Sequence, residues 1–139
     1  MTRRHHVRLL INTLTGINLF GVLVGVLSRG RAVWDPRFGL LVFIGCKIPW
    51  PPAAAMTFGD IVVVRALQWQ SLDDIPVALM QHEAAHSRQY PFVLGFPYFP
   101  LYWLCCAYSY LRCRDYWSFN PFEVRAGLAE GGYQKSTSP

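Results

Sequence analysis

The stretch Val77-Ala-Leu-Met-Gln-His-Glu-Ala-Ala-His-Ser-Arg-Gln-Tyr90 decides how this chain is read. Ala, Leu, Met, Gln and Glu dominate it, which predicts a helix over 77–90, with Pro91 as its stop. Inside it, His82-Glu83-Ala84-Ala85-His86 has the form H-E-x-x-H. Residues four apart share one helix face. Two imidazole nitrogens there can reach one Zn²⁺ at about 2.0–2.1 Å. Glu83, directly after the first histidine, is placed to act as general base, taking a proton from a water that the metal acidifies to a pKa of about 7. Ala84 and Ala85 are small and let the helix pack closely on its other side. Gln89, one turn beyond His86, has two readings: it orients a ligand from behind, or it is a polar residue of the helix surface.

Upstream, Ser71-Leu-Asp-Asp-Ile-Pro76 reads as a loop feeding the helix. Ser71 and Asp74 have capping-box spacing, and Pro76 suits a first helical turn. Before it, 56–65 is the best strand candidate: Ile61 to Val64 are all β-branched, and Gly59-Asp60 suits a turn or bulge.

Downstream lies the question of the third ligand. A catalytic zinc takes three protein ligands and a water. The extended metzincin pattern with a third histidine is absent, and only Asp115, Glu123 and Glu130 follow as acids. Glu123 stands in Asn120-Pro121-Phe122-Glu123-x-x-Ala126, which opens a last helix running to Gly131-Gly132. Asn120 as N-cap with Glu123 three residues on is also a capping arrangement that needs no metal. The ligand reading is preferred because it completes a His₂Glu set. Glu130, beside the glycines, is expected to be solvated. For stabilising a developing oxyanion, Tyr110, Tyr116 and Tyr133 are candidates among which the sequence does not choose. His5 and His6 read as exposed residues of a basic N-terminus.

The order Met56-Thr57-Phe58-Gly59 with its strand, then His82 to Tyr90 including Gln89, then Asn120 to Ala126, resembles compact bacterial gluzincin-type metallopeptidases. The resemblance covers roughly residues 56–130. It implies His82, His86 and Glu123 as zinc ligands, Glu83 as base, and the 57–65 strand as the sheet edge beside the cleft. An extended peptide substrate can pair with such an edge.

Two further segments lack charge. Residues 91–111 are aromatic and broken by Pro97 and Pro100, which predicts a kinked or partly inserted hairpin, with Trp and Tyr suited to an interface belt. Residues 9–28 follow Arg3, Arg4 and Arg8 and precede Arg29 and Arg31. Twenty helical residues reach about 30 Å, a bilayer core, and no small-x-small cleavage site follows closely. A membrane-anchoring helix is the expectation. Residues 38–55, interrupted by Lys47 and ended by Pro49, Pro51 and Pro52, read as an interfacial or connecting segment.

Composition agrees with membrane association: 53% of the 139 residues are apolar and 15% charged. The net charge of +5 comes from scattered arginines rather than a dense patch, so nucleic acid is not an expected partner. Cys46, Cys105, Cys106 and Cys113 lack C-x-x-C spacing and read as buried thiols.

The expected protein is thus α+β and mainly helical: a minimal zincin core with a small β edge strand or hairpin, and an N-terminal apolar helix. Residues 1–55 form the anchor and connector, 56–131 the metallopeptidase core with an aromatic insertion at 91–117, and 132–139 a flexible tail. The expected cofactor is Zn²⁺, the expected substrate a peptide or protein, and the expected location a bacterial cytoplasmic membrane in contact with lipid. The alternative is a non-catalytic zinc-dependent peptide binder or a small structural membrane protein. Oligomeric state is left open.

Overall fold

Leu40-Leu-Val-Phe-Ile44 and Ile61-Val-Val-Val64 are apolar at every position, the signature of strands covered on both faces. In the computed structural model, which describes residues 3–49, 53–65 and 69–136, they are neighbouring parallel strands at the centre of a four-stranded mixed sheet. The strands are β1 (Arg31–Asp35), β2 (Leu40–Ile44), β3 (Ala55–Phe58) and β4 (Ile61–Val64), in the spatial order β1-β2-β4-β3. β1 and β2 form one antiparallel hairpin, β3 and β4 another. Five α-helices accompany the sheet among the described residues: α1 (Arg3–Leu14), α2 (Ile17–Leu27), α3 (Val77–Gln89), α4 (Tyr98–Cys113) and α5 (Pro121–Ala126). The class is therefore α+β. Pro51, Pro52 and residues 137–139 lie outside the described residues, as do the side chains of Arg3 and Arg4.

The sheet separates two apolar layers. Leu40, Val42, Ile44, Val62 and Val64 meet Ile75, Leu79, Met80 and Ala84 of the α3 side. Phe43, Ile61 and Val63 meet Val22 and Val24 of α2. Val62, Val63 and Val64 are fully buried, each contributing about 1.5–3 kcal/mol of apolar burial.

Several expectations need correction. The 38–55 segment is no mere connector, since it contains β2. A strand buried on both faces has no alternation to betray it, and five apolar residues between Gly39 and Gly45 look like any apolar run. The 56–65 strand is two strands, turned at Gly59-Asp60. β3 is an edge of the sheet, but β4 is internal.

The 9–28 segment is not one helix. It breaks at Thr15-Gly16, where Gly16 takes φ 77°, and the two helices diverge by 80°. No single helix among the described residues is long and apolar enough to cross a membrane. Arg8 is not a membrane flank either. It is buried and donates from Nε to Asp60 Oδ1 and from its guanidinium to the carbonyl oxygens of Phe38 and Gly39. Asn12 and Asn18 donate to Asp60 Oδ2 at 2.9 and 3.1 Å, Asn18 Oδ1 accepts from the Asp60 amide at 2.7 Å, and Ser87 of α3 donates to Asp60 Oδ1 at 3.2 Å. The polar residues of the apolar run thus fasten α1 and α2 to the β3–β4 turn. Gly21 and Gly25 let α2 lie close on the sheet: a Cβ would fall 2.7 Å from Ile61 at the first and 2.4 Å from Phe43 at the second.

Pro97 and Pro100 do not kink α4. Pro97 is its N-cap and Pro100 lies in its first turn, where no intrahelical donor is lost. Ser71 and Asp74 do pair, with Asp74 Oδ2 accepting from the Ser71 amide at 2.8 Å, but they close a turn ahead of α3, whose N-cap is Pro76. The last helix ends at Ala126 rather than at the Gly131-Gly132 pair. Within the tail, the Ser136 amide donates to Ser118 Oγ at 2.7 Å. All four cysteines are free thiols, with Cys46 and Cys106 buried.

Asp60→Ala leaves Arg8 buried without its carboxylate and is expected to cost about 3–5 kcal/mol. Urea unfolding checks it, read as the fall in unfolding free energy. A change under about 0.5 kcal/mol, the level of an ordinary surface substitution, would contradict it.

Candidate metal centre

α3 serves two neighbours at once. Leu79, Met80 and Ala84 face the sheet, while His82, His86 and Gln89 face α5 and the aromatic side chains of α4. His82, Glu83 and His86 are all buried, and so is Glu123, the third residue of α5. His82 Nε2 and His86 Nε2 stand 3.0 Å apart. Glu123 Oε2 lies 3.3 Å from the first, and Glu123 Oε1 3.5 Å from the second. These are the only three His, Cys, Asp or Glu residues among the described ones whose ligand atoms converge within 4.8 Å.

The other ring nitrogens fix what these atoms are. His82 Nδ1 lies 2.8 Å from the Gly127 carbonyl oxygen, which only accepts, so Nδ1 carries a proton, and in the neutral ring Nε2 is left with a lone pair. His86 Nδ1 lies 3.1 Å from Gln89 Oε1 and 2.9 Å from Tyr98 Oη. Tyr98 itself donates to Gln89 Oε1 at 3.0 Å, so its oxygen is free to accept from His86. Glu123 Oε1 accepts from the Tyr102 hydroxyl, whereas Oε2 is buried with no hydrogen-bond partner among the described residues.

Three electron-rich atoms thus converge where nothing donates to all of them. A proton on one nitrogen satisfies one pair, but a divalent cation satisfies the set. Tetrahedral ligands at about 2.0–2.1 Å from zinc sit about 3.3 Å from one another, and the observed separations of 3.0, 3.3 and 3.5 Å bracket that value. The donor set and its orphaned carboxylate oxygen fit a metal of the N/O-preferring kind.

The charges of the cluster are strongly coupled. Burial acts to lower the His86 pKa, but the Glu123 hydrogen bond and the charges of Glu83 and Glu123 outweigh it and raise it. Burial acts to raise the Glu123 pKa, but the close imidazoles of His82 and His86, the charge of His86 and the Tyr102 hydrogen bond hold it well below the usual carboxylate range. Tyr98 and Tyr102 are shifted upward, chiefly by burial, and stay donors.

The capping alternative for Glu123 is resolved by geometry. Asn120 Oδ1 caps α5 by accepting from the Phe122 amide at 3.0 Å, but Glu123 does not return the bond, because the Asn120 amide already donates to the Trp117 carbonyl oxygen. Asp115 is occupied with a local turn, accepting from Trp117 and Ser118, and Glu130 is exposed. Neither joins the cluster.

Glu83 stands beside the triad rather than in it. Its Oε2 accepts from Thr57 Oγ1 of β3 at 2.6 Å. Gln89 acts from behind His86, and its Nε2 also ties α3 to the Phe122 carbonyl oxygen at 2.9 Å. Of the three tyrosines named from sequence, Tyr133 meets the His82 ring edge-on at 5.8 Å, while Tyr110 and Tyr116 stack on each other. Sequence reasoning missed Tyr98 and Tyr102. Their spacing of four, on a helix obscured by its prolines, was the available signal. It also missed Gly131, whose backbone lies on the His82 ring: a Cβ there would fall 2.6 Å from Cε1 and 2.9 Å from Nε2.

Comparison with protein-family models, with curated proteins and with solved structures finds no match.

Two variants test the supports of the centre. Gln89→Ala is expected to weaken metal binding about 10–100-fold by releasing His86 Nδ1. Gly131→Ala, which pushes the His82 ring, is expected to weaken it measurably too. Competition against a chelating dye checks both, and unchanged affinity in both would contradict the assigned roles.

Proposed function

We propose that this chain is a membrane-associated zinc metallopeptidase of gluzincin type, with His82, His86 and Glu123 holding the metal and Glu83 as general base. The observation that carries the reading is the convergence of two Nε2 lone pairs on a carboxylate whose Oε2 has no other partner, directly beside the glutamate of an H-E-x-x-H sequence. Zinc in such a site polarises a carbonyl and makes water nucleophilic near neutral pH.

The chain's own groups have distinct tasks. Gly127 and Gln89 hold the two imidazoles in the tautomer that presents Nε2. Tyr102 pins one oxygen of Glu123 and leaves the other for the metal. Thr57 holds one oxygen of Glu83 and so aims the carboxylate from the strand side, where it takes a proton from water and returns it to the leaving amine. Beside it, β3 is a sheet edge against which an extended peptide can lie. That edge is short, because the Tyr90 hydroxyl already occupies the Thr57 carbonyl oxygen at 2.7 Å.

One observation favours a second reading. His82, His86 and Glu123 are only 2–7% exposed, as closed a setting as a structural metal uses to pin two helices together. In that case the site ties α3 to α5, and Glu83 has no chemistry to perform.

Glu83→Gln separates the two. The peptidase reading expects full metal content and a drop of about 10²–10⁴-fold in hydrolysis of an unfolded protein such as fluorescently quenched casein. A metal-loaded wild type that cuts no unfolded substrate, or a Glu83→Gln variant as active as wild type, would overturn it in favour of the structural one.

A further inference from the structure

The two breaks in the helical chain meet. Gly95, between α3 and α4, lies against Thr15, where a Cβ would come within 2.7 Å of its Oγ1, and Gly16 faces the ring of Phe96. Phe20 continues the contact to Phe96 at 5.7 Å and Phe99 at 5.9 Å. Around this junction the outer surface is apolar. α1 exposes Val7, Leu10 and Leu14, and α2 exposes Leu19, Leu23 and Leu27, each set at helical spacing. Phe92, 88% exposed, and Leu94 extend the face across the 3₁₀ turn Tyr90–Val93 that follows α3. Exposed apolar side chains in this number, on neighbouring elements, mark an interaction site.

A cleft of about 660 Å³ opens into this face between α1 and the 3₁₀ turn. Ile11, Pro91 and Phe92 are among its apolar lining, and Arg8, Arg88 and His5 are its polar lining. Arg8 is already matched by Asp60. Arg88 has neither a hydrogen bond nor a carboxylate partner among the described residues. His5, expected to be merely exposed, is half-buried, with a buried Nδ1 that lacks any hydrogen-bond partner. The cleft therefore combines an unmatched positive charge, an unused imidazole nitrogen and greasy walls. Its complement is an anion carried on an apolar body.

We propose that this cleft holds the phosphate of an anionic phospholipid against Arg88, while the surrounding leucine and phenylalanine face lies in one leaflet of the bilayer. An acidic peptide would match the charge but leave the rest of the apolar face in water, so the lipid surface is the better complement. The bent α1–α2 pair then lies in the membrane plane instead of crossing it. This rests on the membrane-association part of the reading above and is independent of its metal chemistry.

The test is flotation of the metal-loaded full chain with vesicles of phosphatidylcholine alone and of phosphatidylcholine mixed with phosphatidylglycerol. Wild type is expected to float with both, about fivefold more with the anionic vesicles, as one well-placed arginine near an anionic surface provides. Arg88→Glu, and the milder Arg88→Gln, are expected to lose that gain with metal content intact. Lys135→Glu, the same charge change as Arg88→Glu on an exposed residue elsewhere, is expected to keep most of it. No flotation on any vesicle would overturn membrane association and this proposal together. Flotation without an anionic gain, or equal loss from Arg88→Glu and Lys135→Glu, would overturn the cleft alone. Displacement of the chain by inorganic phosphate at constant ionic strength would assign the cleft to a free anion and overturn the lipid.

Discussion

Asp60 sits in the tight turn between β3 and β4, and its carboxylate is buried at 1% exposure. A carboxylate at that depth needs partners, and it takes them from three helices: Arg8 and Asn12 of α1, Asn18 of α2, and Ser87 of α3. The layer order follows. α1 and α2 are held to one side of the sheet and α3 to the other, with the β3–β4 turn as the common point. Ser87 is the residue after His86, so the same contact that locks the fold also sets the height of α3 against β3. That height places Glu83 opposite Thr57.

The His82–His86–Glu123 cluster is the second place where buried polar groups constrain one another, and here the set is incomplete by itself. Every peripheral atom has a partner: Gly127 and Gln89 behind the imidazoles, Tyr98 bridging to Gln89, Tyr102 on Glu123. What lacks a partner is the interior of the cluster, where Glu123 Oε2 and two lone-pair nitrogens meet. A shell fully satisfied outward and unsatisfied inward is the form expected of a preorganised cation site.

Local chemistry was the legible part of the sequence. H-E-x-x-H lies on one helix, and Asn120-Pro121 announces the start of another, so His82, His86 and Glu123 can be picked out without knowing the fold. The Gly59-Asp60 turn was visible for the same reason. Other features depend on residues far apart in the chain. Asn12 and Asn18 have no evident purpose inside an apolar run, because their partner, Asp60, lies more than forty positions away. β2 lacks alternation because helices cover both its faces, and its parallel partner β4 follows a whole hairpin later. Tyr98 and Tyr102 stand on a helix that two prolines made look broken, although both prolines sit at its start.

The central claim is that His82, His86 and Glu123 hold one metal ion. Elemental analysis of the purified wild type beside Glu123→Ala tests it most directly, since it counts the ion and identifies it at once. Close to one zinc per chain is expected in the wild type, with a clear loss in the variant. Equal metal in both proteins, or none in the wild type after preparation with zinc in excess, would contradict it.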